Sequence, residues 1–328
     1  MEPVDQSPAE AAAEQTLVAV GTDDGSVSFV NFARGNVGQR LQHLKGLHTG
    51  SIRCVVFSPD ARFLAAASDD HSVSVIDVKT CRRVHHLDEL HFDQINSVAW
   101  SPDSAKLLVG CQDGTASLVA VTTGDRLHHF TALHDDFVKS VSYSADGLYL
   151  ALGNGDSSIS ILSSNTGERL KHLTEVHDGA VFCVAFSPDG RYLASSSFDR
   201  TVSIVELGSF TQVSRFQGLH ATPIYSVAWS PDSSMLLIGA QDRTASLVTV
   251  PAGDRVQHFE SADGFDIHVD WVLCVAYSFD GQHAALGSWD KSVSIINVVT
   301  GKRTKHLKDL RSGGVYSVAF CPPPLPAE

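Results

Sequence analysis

Histidine returns along this chain at a fixed interval. His48, His91, His134, His177 and His220 stand 43 residues apart; the next step is five residues longer, to His268, and a further 43 lands on Arg311. Twenty-two residues after each of the six histidines comes an aspartate: Asp70, Asp113, Asp156, Asp199, Asp242 and Asp290, with Asp24 at the head of the series. A period this short holds one supersecondary unit, and a unit that cannot bury its own faces must stack on its neighbours.

Within a period the pattern is that of strands. Ile52 to Phe57 is an apolar run closed by a Ser-Pro-Asp turn at Ser58 to Asp60. We label this strand a. Phe63 to Ala67 (strand b) leads through the Asp69-Asp70-His71 turn to the β-branched run Val73 to Ile76 (strand c), too short for a helix. Arg83 to Leu87 (strand d) ends the unit, which leaves no room for crossover helices. Serine recurs in the a–b turn at Ser101, Ser144, Ser187, Ser230 and Ser278, and in strand c at Ser28, Ser74, Ser117, Ser160, Ser203, Ser246 and Ser294.

The ends of the chain are incomplete in complementary ways. Residues 17–48 supply only strands b, c and d, whereas 314–321 supply only a strand a. Stacking the units around an axis buries their faces, and joining the two ends in one sheet removes the open edges. The expected fold is all-β: a seven-bladed β-propeller of four-stranded antiparallel blades, closed by N-terminal strands b, c and d plus the C-terminal strand a. Its blades fall near 51–91, 94–134, 137–177, 180–220, 223–268, 271–311, and 314–321 with 17–48, so the propeller occupies 16–321. A disordered tail is expected at 1–15 and a Pro-rich end at 322–328.

These units resemble the WD-repeat (Trp-Asp repeat) β-propeller family over about residues 17–321. Leu-His before strand a stands where that family has Gly-His, Ser-Pro-Asp-Gly at 187–190 matches its first turn, and the b–c aspartates match its turn Asp. The family's strand-c Trp is replaced by Val30, Ile76, Val119, Leu162, Val205, Val248 and Ile296, and its strand-b hydroxyl survives only at Ser195. The resemblance thus implies structural His–Asp pairs, with Asp24 holding its own turn and Arg311 able to donate to it. Residues 95–130 and 224–259 also share 25 of 36 positions, which points to duplication of a three-blade unit.

Chemistry finds little support. One His–Asp pair per blade is the signature of a structural rule, no serine stands apart as a nucleophile, and neither a Gly-x-Ser-x-Gly elbow nor a phosphate loop is present. A second histidine series, His43, His86, His129, His172, His258 and His306, falls on strand d, too far from its equivalents in other blades to share a metal. Cys54, Cys81, Cys111, Cys183, Cys274 and Cys321 show no CxxC spacing, so neither zinc nor a disulfide frame is expected. No cofactor is expected. With 24 Lys+Arg against 37 Asp+Glu, a net charge of −13 disfavours nucleic-acid capture. No apolar run approaches the roughly 18 residues of a membrane helix. The first fifteen residues lack a secretory or mitochondrial pattern, and the expected location is cytoplasmic or nuclear.

What remains is surface. Because strands alternate direction, the d–a connections and b–c turns share one end of the propeller and ring its channel. The strand-a residues there are Arg53, Asn96, Lys139, Phe182, Tyr225, Leu273 and Tyr316, with Phe137 and Trp271 two residues ahead and Phe198 and Trp289 just before the turn Asp. Aromatics gather in the second half of the chain, beside the insertion Glu260 to His268, which carries Phe265 among acids. Large rings on an exposed end supply the contact area of a binding hot spot. The partner expected is a protein or peptide segment, basic or amphipathic, bound by a monomeric propeller within a larger complex. The resemblance implies a non-catalytic scaffold. Alternatives are a ubiquitin-ligase adaptor, suggested by Asp77 and Lys79 at the end of a strand c, and an enzyme with its site at the channel mouth.

Overall fold

The computed structural model describes residues 17–31, 39–131, 133, 136–260, 267–308 and 313–323. His134, Phe265, Arg311 and the residues expected to form the N-terminal tail and most of the Pro-rich end lie outside these. The described residues form seven four-stranded antiparallel sheets and no helix. The expected fold class is the one observed.

Strand a of each blade is innermost: Ile52–Phe57, Ile95–Trp100, Val138–Tyr143, Val181–Phe186, Ile224–Trp229, Val272–Tyr277 and Val315–Phe320. The last of these pairs with Leu17–Thr22, with Val18 opposite Phe320 and Val20 opposite Val318, so the two ends of the chain build one sheet. Strands b and c are buried almost throughout because neighbouring blades cover both their faces. Strand d is mostly exposed or half-buried, as Arg82–Leu87 is.

Each interface between blades is its own apolar cluster. Ala65, Val73 and Val75 of one blade meet Ile95, Trp100 and Leu107 of the next, and Leu17, Val27 and Phe29 meet Ile52, Phe57 and Leu64 where the ring closes. The duplicated segments mark a shared latch. Trp100 Nε1 donates to Val56 O at 3.0 Å and Trp229 Nε1 to Ala185 O at 2.9 Å, each tying its blade to the preceding one. Nearer the channel, Ser97, Ser140, Ser226 and Ser317 accept the N–H of Val141, Val184, Val275 and Val55 at 2.9–3.2 Å.

Candidate interaction face at the channel mouth

The b–c turns come first, because they fix this end of the molecule. Asp70 accepts from the N–H of Thr49 at 2.9 Å and of Ser72 at 3.2 Å, so one carboxylate ties the d–a connection to the b–c turn. His48 Nδ1 lies 3.0 Å from it. The matching distances are 3.3 Å for His91–Asp113, 3.1 Å for His177–Asp199, 2.9 Å for His220–Asp242 and 3.0 Å for His268–Asp290. Asp24 takes the hydroxyls of Thr22 and Ser26, and Asp156 that of Ser158. The proposed partners of these two, Arg311 and His134, lie outside the described residues.

The pair expected from the sequence is in fact a triplet. Two residues after each turn Asp stands a hydroxyl, Ser26, Ser72, Thr115, Ser158, Thr201, Thr244 or Ser292, and each donates to that Asp. Where the histidine is described, the same hydroxyl touches its Nδ1, as Thr201 does at 3.0 Å. The recurrence is plain in the sequence; reading only for His and Asp passed it over. Burial pushes His48 below its usual value and, against the pull of Asp113, takes His91 down to about 4. Burial opposes ionisation of Asp70, yet bonds from Ser72, the Thr49 N–H and His48 hold it down to about 2. Burial thus favours the neutral imidazole at His48 and His91, each with Nδ1 facing its carboxylate.

In one blade Ser195 Oγ also lies 2.8 Å from His177 Nε2, giving a hydroxyl–imidazole–carboxylate chain. Ser195 is fully buried, so no substrate carbonyl reaches it. Histidines of the second series lie tilted against the first, with centroids 6.0 Å apart for His48–His86 and 5.7 Å for His91–His129. His91, Cys111 and Asp113 come within metal-ligand reach of one another. Cys111 occupies the place of Ser68, Ser197 and Ser288, which bond the same carbonyl of the d–a connection, and burial lifts its thiol to about 12. That is the setting of a structural residue.

At the mouth, Arg53, Asn96, Lys139, Phe182, Tyr225, Leu273 and Tyr316 line one cavity of about 450 Å³, joined by Trp271 and Trp289. The rings form a continuous arc. From Phe198 to Phe182 the centroids are 6.1 Å apart, then 5.0 Å to Tyr225, 5.9 Å to Trp271, 6.4 Å to Trp289 and 5.4 Å to Tyr316. Arg53 closes the arc with its guanidinium 4.4 Å from the Tyr316 centroid, and its Nε donates to Asp69 at 2.7 Å. Phe198, Trp271 and Trp289 are 57%, 38% and 43% exposed, so the arc faces solvent as well as the cavity. Phe198 stands outside the cavity and braces Phe182 edge-on.

Across the channel the surface changes character. Lys139 Nζ donates to Asn96 Oδ1 at 3.5 Å and, among the described residues, pairs with no carboxylate. Burial, with Arg53 nearby, pushes its ammonium down to about 8. The opposite end of the propeller carries a different feature: a groove of about 410 Å³ beside Phe279 and Val299, which are 49% and 76% exposed.

A ring of seven four-stranded blades with one decorated mouth defines a propeller of the repeat type. The chain belongs to the WD-repeat β-propeller family: the family described as "IFT122 first beta-propeller" matches residues 12–265, and "WD domain, G-beta repeat" matches residues 260–297. Over 65 residues the chain is 45% identical to "WD repeat-containing protein SL1-17" of Schistosoma mansoni. That stretch spans 20% of this chain and 20% of the relative.

Proposed function

We propose that this propeller is a non-catalytic scaffold that binds a segment of another protein at the channel mouth and so assembles a multi-protein complex. The observation that carries this is the arc from Phe182 to Tyr316, rings already packed on one another around a cavity open to solvent. Rings held in place lose little entropy on binding and offer area that a partner can desolvate. We favour an acidic segment over the basic one expected from the acids of the insertion Glu260 to His268, because the cavity itself presents Arg53 and Lys139.

The ubiquitin-adaptor alternative has less support, because Asp77 accepts from the Thr80 N–H at 2.7 Å and the Thr80 hydroxyl at 2.8 Å and so caps its own c–d turn. A catalytic mouth would have to draw on Lys139, whose partner is the Asn96 amide, and on the thiols of Cys54, Cys183 and Cys274, which burial raises above the usual thiol range. Six free cysteines, none paired, support a reducing compartment such as cytoplasm or nucleus. Affinity purification with wild type and with a Trp271→Ala/Trp289→Ala variant tests the reading. Partners recovered by the wild type should be lost from a variant that stays folded. Retention of all of them would refute binding at the mouth.

A further inference from the structure

The lining of the mouth cavity includes two cations, Arg53 and Lys139, and, among the described residues, no carboxylate, on a chain whose net charge is −13. Its two cavity cations are not equivalent: Arg53 is held by Asp69 at 2.7 Å, while Lys139 has an amide oxygen at 3.5 Å and, among the described residues, no carboxylate within ion-pair distance. Of the acids nearby, Asp178 is paired with Arg215 at 2.6 Å and Asp23 interacts with Lys291, while Asp136 and Asp270 each accept the N–H of the following residue at 2.8 Å.

More positive charge lies outside the arc. Arg200, Arg243 and Lys291 occupy the residue after the turn Asp in three successive blades, all exposed. Their φ values of 72°, 73° and 71° lie in the left-handed region, where Gly25 and Gly114 serve at the same turn position. Three long cations therefore sit where a glycine would fit with less strain.

A cationic ligand is poorly matched to this surface. It would enter beside Lys139 and Arg53, and Phe182, Tyr225 and Trp271 already lie on one another with interplanar angles of 16° and 22°, covering ring faces that a cation would need. We infer that the mouth takes an acidic side chain, Asp or Glu, carried beside an apolar or aromatic residue on a partner peptide. Lys139 receives the carboxylate and the arc receives the apolar neighbour. Arg200, Arg243 and Lys291 favour further acids on the same segment by charge complementarity. This deepens the scaffold reading above and rests on it.

The test uses the full chain and labelled peptide pools of fixed core Phe-Glu, Phe-Gln, Phe-Lys or Phe-phosphoserine in random flanks, read by fluorescence anisotropy. Wild type should bind the Phe-Glu pool roughly tenfold tighter than Phe-Gln, a difference of about 1.4 kcal/mol, and bind Phe-Lys weakest. Lys139→Gln should abolish the Glu-over-Gln preference while keeping the Phe-Gln affinity, and Lys139→Glu should turn the preference toward Phe-Lys. Melting curves check that both variants fold. Equal binding of the Glu, Gln and Lys pools, lost in Trp289→Ala, would overturn the acidic ligand and leave the scaffold reading standing. If no pool binds and the double-Trp variant still recovers every partner, both fall. A phosphoserine pool that outcompetes Phe-Glu, or a peptide of residues 1–16 that outcompetes every pool, would also overturn the assignment, in favour of a phosphopeptide or of the chain's own acidic N-terminal segment.

Discussion

Ser195 Oγ lies 2.8 Å from His177 Nε2, and this contact has no counterpart at His48, His91, His220 or His268, whose buried Nε2 atoms have no hydrogen-bond partner among the described residues. The place of Ser195 is taken by Ala66 in the first full blade, also fully buried. Ala66→Ser should therefore supply His48 with a donor and raise stability by about 1 kcal/mol, whereas Ser195→Ala should lower it by about 1–3 kcal/mol. Thermal melts of the two variants check the pair of signs. A destabilised Ala66→Ser would show that the site lacks room for the hydroxyl.

Acid should weaken this protein before its carboxylates titrate. His91 sits at about 4 in the fold, faced by Asp113, Thr115, His129 and Arg126, and an unfolded histidine titrates near 6.5. Between those values the unfolded chain binds the proton that the folded chain refuses, so stability is full above about pH 6.5 and falls as pH drops toward 4. Asp70, held at about 2, adds a second loss below about pH 3.8. Melting temperature measured from pH 7 to 4 should fall, and His91→Gln should flatten that slope while lowering stability at pH 7. A slope unchanged in His91→Gln would remove His91 as the group responsible.

Arg243 should be a residue kept for binding at some expense of stability. Arg243→Gly relieves a φ of 73° and should leave the melting temperature unchanged or raise stability by up to about 1 kcal/mol. The same change should weaken the Phe-Glu peptide pool severalfold at low salt and less at high salt, since an exposed charge is screened. A lower melting temperature with unaltered peptide affinity would make Arg243 structural.

Closure depends on residues from both ends of the chain. Ser317 Oγ accepts the Val55 N–H at 2.9 Å, and Val315, Val318 and Phe320 are buried against their neighbours. Removing residues 314–328 should expose Leu17–Thr22 as an open edge and abolish the cooperative thermal transition. A peptide of residues 314–323 added in trans should restore it. A truncated chain that melts as the full one does would contradict the interlocked blade.

Much of this was legible in the sequence, and the reasons differ by residue. The 43-residue period and the 22-residue His–Asp offset fix blade number and turn position, because each blade repeats one structural solution. Strand alternation brought Arg53, Lys139, Tyr225 and Tyr316 to the mouth, since a period of two decides the face. Charge sense was not legible. Whether Arg53 or Lys139 remains unpaired depends on Asp69 approaching to 2.7 Å across a strand pair, a distance that no spacing encodes. The stacking of Phe182 on Tyr225 likewise joins two blades and needs the radius of the ring.

The location of binding can be measured directly by amide hydrogen exchange on the full chain, free and loaded with the partner recovered by affinity purification. Protection should concentrate at residues 269–274, 289–291 and 314–318, around Trp271, Trp289 and Tyr316. Protection at 279–281 and 298–299 instead, beside Phe279 and Val299 at the other end of the propeller, would contradict a binding mouth built from the aromatic arc and Lys139.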